Sequence, residues 1–167
     1  MIYQKTGTPF PSKKRYNQVF EYMFIFSKGS PKIFSPVLKL NKTGGDFRKK
    51  ATQRKKNGEQ KKIKNRLTNE YGIDNNIWRV RNGMYKSTKD VIAFEHPAIM
   101  PEEIAKKHII SWSNEENLIY DPFMGSGTTA KASHILKRNW IGSEISQEYC
   151  NLAEERLKKY LTQTTLF

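Results

Sequence analysis

One cysteine, Cys150, stands in a chain of 167 residues. That excludes an internal disulfide and any cysteine-based zinc cluster. The three histidines, His96, His108 and His134, are scattered and form no ligand pattern, so no metal site is expected. No apolar run approaches the roughly 18 residues a membrane helix needs. The start, MIYQKTGTPF, lacks a basic segment followed by an apolar one, and no signal peptide is visible. The expectation is a cytoplasmic protein without membrane association. Acids are scarce as well: 16 Asp/Glu face 30 Lys/Arg, for a net charge of +14. Hydrophobic residues make up 37% and aromatic ones 12%, a globular composition with a dilute core.

The acid deficit is local. Residues 1–38 carry six Lys/Arg and one acid, and residues 39–66 carry twelve against two. Residues 67–167 are nearly neutral, with twelve against thirteen. A basic segment is thus joined to a neutral body, and a polyanion is the natural partner, nucleic acid ahead of a membrane surface. Between Lys39 and Asn69 apolar periodicity almost vanishes, with Gly44-Gly45 and Gly58 as breaks. This reads as a solvated loop in the free chain and as a DNA-contacting insert when bound. Arg48, Lys49, Lys50, Arg54, Lys55 and Lys56 are the candidate phosphate contacts, and their affinity would depend on salt.

Upstream, VFEYMFIF at residues 19–26 predicts a strand buried on both faces, and residues 4–17 predict a loop. In EHPAIMPEEIAKKHIISWS, Pro101 suits the first helical position, and Glu102 and Glu103 suit the positive end of the helix. Ile104, His108 and Trp112 recur every four residues, so His108 reads as a packed core side chain. The last fifty residues are the most ordered. A strand over 117–120 leads into DPFMGSGTT; a helix follows over 128–138, then a strand over 140–144 ending in an acid. Ser146 then caps a helix with Leu152, Ala153, Arg156 and Leu157 on its stripe. The sum is a parallel β-α-β crossover followed by a helix.

A glycine turn between strand and helix lets a ligand reach the backbone at Gly125 and Gly127. The following helix offers unpaired N–H groups. Glu144, about twenty residues on, stands where an acid meets ribose hydroxyls in nucleotide-type sites. Three ligands compete. A P-loop needs a lysine before its Ser/Thr, whereas Thr128 follows Gly127 directly. A dinucleotide site tolerates Ala130 in the third glycine position, but Asp121 would repel a pyrophosphate. S-adenosylmethionine carries a sulfonium, an ammonium and a ribose, and Asp121 and Glu144 match its methionine end and its ribose. It is favoured over the other two.

HPAIMPEEIA, DPFMGSGTTA and IGSEISQEYCNLAEERL, in that order, resemble the C-terminal part of amino-group DNA methyltransferases of the permuted, beta-type order. They are similar to motifs X, I and II, densely over residues 91–158. The resemblance implies a partial Rossmann-like, S-adenosylmethionine-dependent α/β fold, a mixed sheet with its central strands missing. It implies that Asp121, Phe123, Gly125, Ser126, Gly127, Thr128 and, more weakly, Thr129 line the methionine part of the cofactor. Glu144 would hold the ribose, Ile145 would pack on the adenine, and His96 and Pro97 would close the pocket. Residues 1–38 would be late strands of the catalytic half, 39–90 the target-recognition segment and 91–167 the cofactor subdomain. The substrate implied is double-stranded DNA, methylated at adenine N6 or cytosine N4, adenine being the commoner target.

The family's catalytic motif is Asp, Asn or Ser followed by Pro-Pro and an aromatic. No Pro-Pro occurs here, and Asp121-Pro122-Phe123 opens motif I instead. No catalytic residue is assigned. The chain reads as a portion whose catalytic half is supplied elsewhere, for example by a separate chain. The alternative is a non-catalytic DNA- and cofactor-binding module, or an inactive remnant.

Overall fold

A computed structural model describes residues 1–7, 13–48, 51–63 and 66–162. In chain order the strands β1 to β9 are Ile2–Lys5, Phe20–Tyr22, Leu38–Leu40, Phe47–Arg48, Ala51–Arg54, Gln60–Ile63, Arg66–Leu67, Tyr71–Ile73 and Ile77–Val80. A 3-10 turn at Val91–Glu95 leads to α1 (Glu102–Trp112), β10 (Leu118–Asp121), α2 (Thr128–Ile135), β11 (Asn139–Gly142) and α3 (Gln147–Leu161). The chain divides into two units: residues 1–35 with 75–167, and Pro36–Asp74. Residues 75–90, grouped with the basic segment by sequence, belong to the first unit. Among the described residues, no helix is long and apolar enough to cross a membrane.

In the first unit β1 lies between β2 and β9, antiparallel to β2 and parallel to β9. Strand β9 alternates, with Ile77 and Arg79 outward and Trp78 and Val80 buried, as a half-covered strand should. Trp78 and Val80 join Tyr3 and Ile104 of α1 in one core. His108 of α1 packs its ring 4.8 Å from that of Trp78 and sets Nε2 3.2 Å from Met23 Sδ. Burial holds this imidazole below its ordinary value. Helix α1 starts with Pro101 as its N-cap, one position before the one predicted, and carries Glu102 and Glu103 in its first turn.

Strand β10 pairs in parallel with β11, from Leu118↔Asn139 to Asp121↔Gly142, and α2 makes the crossover. Helix α2 packs through Ala132 on Ala105 and Ile109 of α1, and through Ala130 on Met124 and Leu157 of α3. It ends three residues sooner than predicted, because Lys137 adopts a left-handed φ of 59°. Arg138 turns back instead: Nη1 donates to Leu136 O at 2.6 Å and Nη2 to Ser113 O at 2.7 Å. Ser146 caps α3 and accepts from Tyr149 N. Leu152, Ala153, Arg156 and Leu157 form its buried stripe.

The structure corrects the sequence expectations over residues 4–26. The doubly buried strand over 19–26 is a three-residue strand followed by irregular chain. Its aromatic side chains form a ladder, Phe20–Tyr22–Phe24–Phe26, with ring centroids 5.4 to 6.3 Å apart. Phe24 is 74% and Phe26 89% exposed. Met23 packs inward on the other side. Aromatic content signals burial only where a second layer exists, and among the described residues none covers this face. The start of the expected loop over 4–17 is strand too, since Gln4 and Lys5 belong to β1.

The second unit is the other correction. The described residues of 36–74 form a ladder of three successive antiparallel pairs, β3–β8, β4–β7 and β5–β6. The turn at its tip places Gly58 at φ +88°, with Gly58 N donating to Lys55 O at 3.0 Å and Lys55 N to Glu59 O at 2.8 Å. Backbone hydrogen bonds hold this ladder, and its side chains are mostly exposed. Apolar alternation in its strands spans only three residues at a time, as in Leu38-Lys39-Leu40 and Tyr71-Gly72-Ile73, too few to mark a strand.

Candidate functional site

The DPFMGSGTT segment joins β10 to α2 through two left-handed glycines, Gly125 at φ +50° and Gly127 at φ +77°. Asp121 ends the strand and folds the chain back on itself, its Oδ1 accepting from Phe123 N at 2.9 Å. A Cβ on Gly125 would stand 3.1 Å from His96 Nε2, and one on Gly127 3.2 Å from the Cβ of Ala153. The two glycines thus serve different neighbours: Gly125 admits His96, while Gly127 admits α3. Gly127 is also the N-cap of α2 and has no side chain to cap it. The first N–H groups of that helix are left for a ligand or solvent.

Glu144 follows β11 and bridges back to the loop. Its Oε2 accepts from Gly125 N at 2.8 Å and its Oε1 from Ser146 N at 3.0 Å. These two backbone donors, Ser146 first, hold the carboxyl below its ordinary value, so it is an ionised acceptor at neutral pH. His96 lies with its ring 4.3 Å from Tyr149 and its Nδ1 accepting from Ala98 N at 3.1 Å.

Of the predicted site residues, Asp121, Phe123, Gly125, Ser126, Thr128, Thr129, Glu144 and His96 line one cavity of about 290 Å³. Ala98, Met100 and Met124 complete its wall. Three predicted residues are not in that lining. Gly127 backs onto Ala153 and Leu157, Ile145 is fully exposed, and Pro97 lines a neighbouring cleft of about 730 Å³. The two spaces share His96, Ala98 and Met100.

Behind the loop lies a charged cluster that no local pattern announced. Arg156 of α3 is 1% exposed. Its Nε donates to Asp90 Oδ2 at 2.9 Å and its Nη2 to Glu102 Oε1 at 3.0 Å. Its Nη1 donates to Ser126 O at 2.8 Å and to Thr128 Oγ1 at 3.0 Å. Lys131 of α2 donates to the same two acids, at 2.8 Å to Asp90 and 2.6 Å to Glu102. Thr88 donates to Glu102, and the Tyr160 hydroxyl donates to Asp90 Oδ1 at 2.7 Å. Burial alone would push the Asp90 carboxyl up; hydrogen bonds from Lys131, Lys159, Tyr160 and Arg156 outweigh it and hold it well below the usual range. Burial would also raise Glu102, and the bonds from Lys131 and Thr88 reverse that. Lys131 is the mirror case: burial disfavours its charge, and Asp90 and Glu102 more than restore it. One signal was available in the sequence: Arg156 sits on the inward stripe of α3, where an unpaired charge would be very costly.

Of the candidate DNA contacts, Arg48, Arg54, Lys55 and Lys56 belong to the ladder of the second unit. Arg54 is the last residue of β5, and Nε donates to Gly58 O at 3.3 Å. Lys55 pairs with Glu59 at 2.8 Å and Lys56 is exposed at the tip. Lys61 and Lys62 of β6 are exposed as well and extend the basic set beyond the six expected residues. Arg48 ends β4; Lys49 and Lys50 lie outside the described residues.

The chain is similar in sequence and in fold to known proteins. The orphan methyltransferase M.BamHII of Bacillus amyloliquefaciens is 53% identical over 164 residues, covering 96% of this chain and 62% of that protein. The Type II methyltransferase M.MjaI of Methanocaldococcus jannaschii is 32% identical over 137 residues, 82% of this chain and 38% of its own. Among solved structures, that of the M1.HpyAVI–SAM complex matches 94% of this chain and 60% of its own at 25% identity, with a TM-score of 0.55. The chain therefore spans less than two thirds of the length of these relatives. The family model described as DNA methylase matches residues 1–155. With the β-α-β unit, its glycine loop and the strand-terminal acid in place, the chain belongs to the DNA methylase family.

Proposed function

We propose that this chain is the C-terminal portion of a DNA amino-methyltransferase, acting on adenine N6 rather than cytosine N4, that binds S-adenosylmethionine and double-stranded DNA. The carrying observation is the convergence of Asp121, Glu144 and the glycine loop on one cavity. The donor set suits the cofactor. Asp121 offers a carboxylate to the methionine ammonium, and the uncapped start of α2 offers N–H groups to its carboxylate. Glu144 already accepts two backbone bonds, yet an ionised carboxylate has about four acceptor sites. It can take ribose hydroxyls in addition. Phe123 and His96 add aromatic surface, with Pro97 and Ile145 at the margin. When bound, the sulfonium supplies an activated methyl group. This chain's part is to hold the donor in one orientation and to keep its charged end matched.

The ladder at 36–74 supports the DNA assignment. A two-stranded ribbon fits the major groove of a duplex, and this one carries Arg54, Lys56, Lys61 and Lys62 along its distal part. Within the proposed target-recognition region, residues 39–90, the ladder is the part that would meet DNA, with 1–38 as late strands and 91–167 as the cofactor subdomain. A cytoplasmic location goes with that substrate. The missing catalytic motif and the uncovered aromatic ladder at Phe20–Phe26 support a further element, on a separate chain or a longer polypeptide, that supplies the catalytic half. The same absence of Pro-Pro favours a second reading, a DNA- and cofactor-binding module without transfer activity.

Calorimetry on the purified chain tests the first claim. S-adenosylmethionine should bind at one site, and Asp121→Asn should weaken it. No heat from the folded protein would contradict the proposal. Methyl transfer to DNA should be undetectable from this chain and return when the catalytic half is added. Return of activity excludes the second reading, and activity without that half contradicts the first.

A further inference from the structure

The peptide between Ser126 and Gly127 has a left-handed glycine, Gly127, on its C-terminal side, and Gly125, also left-handed, stands one residue before Ser126. A glycine on that side lowers the steric barrier to turning the peptide over. Both of its polar ends are nevertheless held. Its N–H donates to Met124 O at 2.9 Å, and its carbonyl accepts from Arg156 Nη1 at 2.8 Å. The same Nη1 reaches Ser126 Oγ at 3.3 Å and Thr128 Oγ1 at 3.0 Å. A turned peptide would take the carbonyl from the guanidinium and the N–H from Met124.

The guanidinium is itself fixed by Asp90 and Glu102. Asp90 precedes the turn at Val91–Glu95, and its carbonyl accepts from Ala93 N at 3.2 Å; Ala93 O in turn accepts from His96 N at 3.2 Å. That turn delivers His96 to the face of Gly125. One cluster therefore sets two walls of the cavity, the loop through Arg156 and the His96 wall through Asp90. We propose that Arg156 and Asp90 are positioning residues that lock the Ser126–Gly127 peptide and the His96 turn, so that the cofactor cavity is preformed. This rests on the cofactor reading above, and neither residue lines the cavity.

Arg156→Lys keeps the charge but loses the fork that spans both acids and the carbonyl. Its affinity for S-adenosylmethionine by calorimetry should fall about ten-fold or more. In the unliganded chain, amide exchange should quicken at Ser126 to Thr129, while the α1 amides from Ile104 to Ile109 keep their protection. Thr128→Val leaves all four charges in place and removes one acceptor, so its loop exchange should quicken less. A folded Arg156→Lys with unchanged affinity and unchanged loop exchange overturns the proposal. If that variant does not fold, unchanged loop exchange in Thr128→Val overturns it. If the wild-type chain binds no cofactor, the cofactor reading fails, and the exchange comparison alone decides the lock.

Discussion

Lysine and arginine do opposite work in the two units. In the first, Lys131 and Arg156 are buried and matched by Asp90 and Glu102, and they support a loop. In the second, Lys56, Lys61 and Lys62 face solvent on a ladder held by its backbone. A net charge of +14 describes neither role. What separates them is desolvation: a buried cation must be paired within the fold, whereas an exposed one stays available to an outside anion.

The largest effect that would break this contrast is salt on DNA binding. If the ladder makes six or more phosphate contacts, affinity should fall about a thousand-fold or more between roughly 50 and 200 mM salt. Lys56→Ala should lower the slope of log affinity against log salt by about 1 and leave folding stability within about 0.5 kcal/mol. A flat salt response would remove the phosphate role. Next comes the buried cluster. Asp90→Ala strands two buried cations and should cost about 3–5 kcal/mol in chemical denaturation. A cost like that of Lys56→Ala would show the cluster to be solvated.

Acid sharpens the same contrast. Asp90 and Glu102 are held below their ordinary values in the folded chain. Their contribution is complete above the unfolded carboxylate range, about pH 4, and is lost as pH falls below it toward the folded values. Stability should therefore decline below about pH 4 in the wild type and decline less steeply in Asp90→Ala. Equal acid slopes would contradict the cluster's role. The smallest effect compares two glycines. Gly58 and Gly127 both have positive φ, but a Cβ at Gly58 meets nothing within 4 Å, whereas at Gly127 it meets Ala153 at 3.2 Å. Ala at either position carries a backbone strain of about 1–2 kcal/mol. Gly127→Ala should cost more than Gly58→Ala by the packing alone.

The same contrast governs what could be read in advance. The run from β10 to α3 was legible because its apolar residues keep strand and helix spacing and because Ser146 caps α3. Asp121 and Glu144 could be placed on one cavity because each stands at or just past the end of a strand in one β-α-β unit. The ladder was illegible because its apolar alternation spans only three residues at a time. The strand at 19–26 was overread because Phe24 and Phe26 look like core and face solvent. The cluster was legible only through Arg156 on the inward stripe of α3; its partner Asp90, 66 positions away, meets it only in the folded chain.

Asp121, Glu144 and the glycine loop form one cavity. Amide exchange across the chain, with and without saturating S-adenosylmethionine, shows whether the cofactor occupies it. Protection should appear at Gly125 to Thr129, at Glu144 to Ser146 and around His96, and the ladder at 36–74 should be unaffected. Protection confined to other segments, or none while the cofactor is bound, would contradict the account.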